Sequence, residues 1–140
     1  FLQHRRTRID YRTLADLRAY SIAVVRGYSY SGDFDQDSSL SKVPVLEFAM
    51  GARMLAAGRV QLAVEDELVA QYYFNRELAE VKSSLSFLPK QLSENGLHIL
   101  VRRSHPLHQQ IVDDFNHSIA QMRADGTYAQ IYLRHGLQPQ

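Results

Sequence analysis

Apolar residues recur along the chain in short bursts, and their spacing switches between two periods. "SIAVVRG" (21–27) is a continuous β-branched run ended by glycine, the pattern of a buried strand. "VPVLEF" (43–48), "RVQLAVED" (59–66), "VKSSLSFL" (81–88) and "NGLHILVRR" (95–103) read as further strands. Between them the spacing becomes helical. "TLADLRAY" (13–20) predicts a short turn with Thr13 as N-cap and Asp16 in its first turn. "LEFAMGARMLAAG" (46–58) predicts a helix with Leu46, Met50, Met54 and Leu55 on one face and Gly58 as its cap. "ELVAQYYFNREL" (67–78) predicts another helix, with Tyr72, Tyr73 and Phe74 packing it against the sheet. The stretch 28–37 could start a helix, but "SGDFDQDSS" (31–39) is rich in breakers and caps, so a loop is expected to about Lys42.

From His105 onward the pattern is helical. Pro106 suits a first helical position, and Ile111, Phe115, Ile119 and Met122 form one apolar stripe. Gly126 breaks this helix, and a second short one ends at Gly136. The alternation of strand and helix implies an α/β fold: a mostly parallel sheet with helices on both faces, followed by a C-terminal helical pair.

Composition adds limits. The 140 residues suit one domain, and 45% hydrophobic with 22% charged residues permits a packed core. A net charge of +1 argues against a dedicated nucleic-acid or membrane-surface binder. Without cysteine, disulfides and thiolate metal sites are excluded. No apolar run approaches the roughly 18 residues that span a bilayer, and no signal peptide is visible. The opening "FLQHRR" suggests a fragment, or a mature piece of a longer protein.

In a parallel sheet, ligands sit at the carboxyl ends of strands, beside helix N-termini. Gly27 stands at such an end and can adopt positive φ. The amides of Tyr28, Ser29, Tyr30 and Ser31 would then be unpaired and suited to a carboxylate or phosphate, helped by the serine hydroxyls. Asp66 closes another strand, where it either caps the next helix or pairs with an ammonium group. The two together would complement a zwitterion. The stretch is neither a P-loop nor a G-x-G-x-x-G turn.

Other chemistry finds less support. Asp33, Asp35 and Asp37 alternate as in a calcium loop, but Ser38 and Pro44 stand where glycine and glutamate are needed. His105 and His108 lack a third ligand at convincing spacing. No G-x-S-x-G elbow occurs, and Glu65 and Asp66 are adjacent, so on a strand they point to opposite sides. No catalytic residue, metal or cofactor is expected.

"DLRAYSIAVVRGYSY", "MLAAGRVQLAVED" and "FNHSIAQMRADGTYAQIYLRHG" resemble, in order, the later part of family 3 extracytoplasmic solute-binding proteins, the type II periplasmic binding proteins of amino-acid ABC transporters. The likeness runs over about residues 14–136. Ala19, Gln61 and His135 depart from the family pattern, and the ligand loop reads Gly-Tyr-Ser-Tyr. The resemblance implies a non-enzymatic, periplasmic or extracytoplasmic protein that closes two lobes on a small amino acid or carboxylate and delivers it to a permease. It also implies that residues 1–13 end the first lobe and its crossing. Residues 14–95 would form the second lobe, and 96–140 the return crossing and helices that pack on the first lobe, most of which would be missing. The stripe on the C-terminal helix would then seek cover, about 6–12 kcal/mol for four side chains, which favours a homodimer or domain swap. The same fold could serve as the extracytoplasmic sensor of a receptor kinase. A small α/β enzyme is the alternative from another class.

Overall fold

The computed structural model describes residues 1–94 and 96–137. The chain divides into two units, Phe1–Glu94 and Asn95–Gln140. Asn95 and residues 138–140, which fall within the expected second lobe and C-terminal segment, lie outside the described residues.

The first unit is built on five strands: β1 (Leu2–His4), β2 (Ser21–Val25), β3 (Ser41–Val45), β4 (Leu62–Ala63) and β5 (Leu85–Phe87). Their order across the sheet is β3-β2-β4-β1-β5. β2 runs parallel to both β3 and β4, whereas β1 is antiparallel to β4 and β5. Four strands therefore point one way and β1 alone points the other. Residues 1–13, expected to close a preceding lobe, thus supply a strand to this sheet, with Leu2 fully buried in it.

Strand alternation sends successive side chains to opposite faces. Ala23, Val25 and Ala63 join one core with Phe48, Ala49, Leu55, Ala70 and Phe74. These last five lie on α2 (Phe48–Ala56) and α3 (Glu67–Phe74), so both helices cover that face. Ile22, Leu62 and Val64 point the other way, into a core with Leu17, Phe34 and Leu40. Leu17 comes from a 3-10 turn, Leu14–Leu17, and Phe34 from α1 (Gly32–Gln36). The expected three-layer α/β architecture is present, and Asp16 stabilises the 3-10 turn by accepting the Thr13 N–H at 2.7 Å.

Four expectations for local structure are corrected. The loop expected after Ser31 contains α1, because the Ser31 hydroxyl caps it by accepting the Phe34 N–H. The helix expected over 67–78 ends at Phe74, and a second helix, α4 (Ala79–Lys82), occupies the first residues of the strand expected at 81–88. Of the face expected for α2, Leu55 is buried and Met54 packs against the core, but Leu46 precedes the helix and is exposed, as is Met50; Phe48, Ala49 and Ala52 complete the buried face. No strand forms over the described part of 95–103; Leu97 and Leu100 are 82% and 96% exposed. A strand is stabilised by a neighbouring ladder, and no described strand pairs with this segment.

The second unit contains α5 (His108–Ala124) and α6 (Thr127–Arg134), joined at Gly126, whose φ of +82° makes the turn that the sequence predicts there. No residue of either helix is buried. No helix among the described residues is long and apolar enough to cross a membrane.

Candidate functional site

The chain reaches β3 from β2 through α1 on one face, and returns from β3 to β4 through α2 on the other. β2 and β4 are therefore adjacent parallel strands from which the chain departs in opposite directions. Such a switch point opens a crevice at the strands' carboxyl ends. Gly27 follows β2, and Glu65 and Asp66 follow β4, so the two predicted segments emerge at the same end of adjacent strands.

Gly27 has φ of +84°, a conformation that only glycine adopts without strain, and it turns the chain back so that the Tyr28 N–H donates to the Val25 carbonyl at 3.2 Å. Tyr28 is 57% exposed. Tyr30 folds under the turn. Its hydroxyl accepts the Val25 N–H at 2.8 Å. The Val64 N–H donates to the Ala23 carbonyl, so the like-facing Val25 amide points toward β4. The phenol thus serves that amide just beyond the last pairing of β2 with β4. Burial pushes the Tyr30 hydroxyl up to about 12; the Val25 hydrogen bond opposes this, and the charge of Glu65 adds to it. Its ring packs edge-on against Phe34 at 5.8 Å and lies 6.2 Å from Tyr28.

The expected row of unpaired amides is only partly present. The Tyr30 N–H donates to the Asp35 carboxylate at 3.0 Å, and the Ser29 hydroxyl donates to the same oxygen at 2.7 Å. Asp35, which the sequence places only in a solvated acidic run, is thus the residue that orders the loop. With Tyr28 and Tyr30 also bonded, the amides of Ser29 and Ser31 have no hydrogen-bond partner among the described residues.

Asp66 takes the capping role. One carboxylate oxygen accepts the Leu68 and Val69 amides of α3 at 2.9 and 3.1 Å. Its neighbour Glu65 is half-buried and accepts the Asp66 N–H at 2.9 Å. Burial raises the Glu65 carboxyl above its ordinary value, that hydrogen bond lowers it, and the Asp66 charge raises it further. Glu65, one residue before the predicted Asp66, thus also stands at this corner, where its charge acts on Tyr30.

The other sequence candidates resolve into local structure. Asp37 accepts the Ser39 N–H and hydroxyl, which hold its carboxyl below the usual range. His105 accepts the Leu107 N–H, and the His108 ring meets the His105 carbonyl at 3.0 Å, within the turn that opens α5.

No protein-family model matches the sequence, and neither does any curated protein. Solved structures do resemble the chain. An ancestral arginine-binding protein bound to arginine superposes with a TM-score of 0.68 at 20% identity, over 95% of this chain and 57% of its own. The L-cystine solute receptor of Neisseria gonorrhoeae, in its unliganded open conformation, gives 0.69 at 18% identity over 96% and 54%. The GluR0 ligand-binding core from Nostoc punctiforme, in complex with L-glutamate, gives 0.66 at 21% identity over 94% and 58%. The chain thus spans little more than half the length of these structures. It has the α/β fold of the corresponding part of each.

Proposed function

We propose that this chain forms one lobe of an extracytoplasmic solute-binding protein and takes a small polar solute, an amino acid or a related carboxylate, in the crevice between β2 and β4. Gly27, Tyr28, Ser29, Tyr30, Ser31 and Asp66 line it. A second lobe closes over the solute and the loaded protein delivers it to an ABC permease, a non-enzymatic cycle of capture and release. The observation that carries this reading is the switch point itself: the two adjacent parallel strands bring the Gly27–Ser31 turn and the Glu65–Asp66 pair to one end of the sheet. The likeness to proteins solved with arginine and glutamate bound supports the solute class. The apolar stripe of α5, with Ile111 38% and Phe115 39% exposed, is the face we assign to a second copy of the chain.

The test is a thermal-shift screen of L-amino acids, small carboxylates, nucleotides and sugars, followed by an amide-resolved NMR titration. An amino acid or carboxylate is expected to raise the melting temperature and to move the amides of residues 27–31 and 65–66. Stabilisation by nucleotides or sugars alone, or shifts confined to other parts of the chain, overturns the reading.

A further inference from the structure

The loop after β2 already holds a carboxylate, and it is the chain's own. Asp35 sits on α1 and reaches back to the turn that precedes it. One of its oxygens accepts both the Ser29 hydroxyl, at 2.7 Å, and the Tyr30 N–H, at 3.0 Å; the other lies 3.3 Å from the same N–H. Two donors that a solute carboxylate would use are therefore engaged by a charged acceptor, the stronger kind of partner. The arrangement is held from behind. The Lys42 ammonium binds the Phe34 and Asp35 carbonyls at 2.8 and 2.9 Å, and the Phe34 ring is fully buried. The backbone of α1 is thus fixed to the core at Phe34, which keeps the exposed Asp35 side chain within reach of the turn.

Glu65, which follows the adjacent strand β4 and whose charge acts on the Tyr30 hydroxyl, presents a second carboxylate. One of its oxygens accepts the Asp66 N–H; the other has no hydrogen bond among the described residues. The exposed phenol of Tyr28 stands beside Tyr30. An incoming carboxylate would meet two negative groups and, of the loop's donors, would find the Ser29 hydroxyl and Tyr30 amide in use, leaving only the Ser29 and Ser31 amides. An ammonium or guanidinium would meet an acceptor with spare capacity and aromatic faces, which attract cations.

We propose that Asp35 is a specificity-determining residue: by filling the Ser29 and Tyr30 donors it turns a solute's carboxylate away from this lobe, so that the solute meets the lobe through a cationic group. This rests on the solute-binding reading above and narrows it to amines, guanidines and amino acids held by their positive end.

The experiment is calorimetric titration of the full chain with three probes of graded charge: agmatine, L-arginine and succinate. For the wild type, agmatine and L-arginine are expected to bind within about threefold of each other, and succinate at least tenfold more weakly. Asp35→Ala frees both donors and is expected to tighten succinate at least tenfold relative to agmatine. Asp35→Asn keeps the shape and one carbonyl acceptor, so a gain of about threefold is expected even if the alanine variant folds poorly. Succinate binding the wild type as tightly as agmatine, or an unchanged ratio in Asp35→Asn, overturns the assignment of Asp35 and leaves the solute-binding reading intact. If none of the three probes binds while other amino acids or carboxylates do, the cationic preference is wrong. If no solute binds at all, the reading beneath it falls as well.

Discussion

Glu65 shows how a residue to which spacing assigns no role acquires one from its surroundings. An acid at a strand end is a frequent helix cap, and "VED" offers two candidates for one role. The cap goes to Asp66, whose position places an oxygen within reach of two α3 amides, and this leaves Glu65 half-buried beside the tyrosines. Spacing alone could not assign the roles, because they depend on where α3 begins. Asp35 was hidden for a different reason: its partners lie only five and six residues earlier, and they meet it once Gly27 has turned the chain and α1 has formed. The raised Glu65 carboxyl has a measurable consequence. Between its ordinary value near 4.5 and its raised native value, the folded chain holds a proton that the unfolded chain has released. Glu65 therefore contributes most stability below that window, and the contribution is lost as pH rises through it. Asp16, Asp37 and Asp125, lowered by their hydrogen bonds, act in the opposite sense, losing stability as pH falls through their depressed values. Urea unfolding midpoints of wild type and Glu65→Gln, compared from about pH 4 to about pH 7, should diverge, the variant gaining relative to the wild type with rising pH. A constant difference would show that Glu65 is not desolvated by folding.

At the level of elements, β2 was the most legible because its pattern combines continuous β-branched residues with a terminal glycine. Strand β4 is only two residues long, yet "RVQLAVED" marked its place, since Leu62 and Val64 face one core and Ala63 the other. Helix α2 was placed correctly and its face only half read. Met54 and Leu55 of the expected stripe face the core, but Leu46 and Met50 are exposed, and the seated face also uses Ala49, Gly51 and Ala52. Small residues let the helix backbone approach the sheet: a methyl group added at Gly51 would lie 3.1 Å from Ala23 Cβ and 3.5 Å from a Val45 methyl. Close approach leaves no hydrophobic signal, so a reading based on apolar bulk overlooks it. Gly51→Val should lower stability by about 1–3 kcal/mol through overpacking, read as a reduced denaturation midpoint. Gly51→Ala should be milder, because better helix propensity, about 1 kcal/mol, offsets part of the close contact. A valine variant as stable as the wild type would mean that α2 is not seated this closely. The described part of 95–103 forms no strand although its apolar run suggests one, because a run of apolar residues says nothing of whether a ladder is available.

For the whole molecule, the resemblance carried by three motifs anticipated the fold over nearly the full length, in agreement with the structural matches. The order of elements was sufficient for this because alternating strands and helices admit few right-handed, uncrossed topologies. The least expected placement was β1, which a reading centred on residues 14–95 assigned to a crossing. Apolar surface is unevenly distributed between the units: the first has two cores, and α5 and α6 bury no residue. Multi-angle light scattering should therefore report a dimer of this chain, and replacing both Ile111 and Phe115 with serine should return it to monomer. A wild-type monomer at high micromolar concentration would remove the second copy from consideration. Finally, the Phe1 carbonyl accepts the Leu88 N–H at 2.9 Å, and Leu2 pairs directly with Phe87. The first and last segments of the sheet unit thus leave it side by side, the arrangement that allows a domain to be spliced into a loop of a host protein without stretching either junction. A short linker at each end would suffice, and the same adjacency makes the unit a natural starting point for circular permutation.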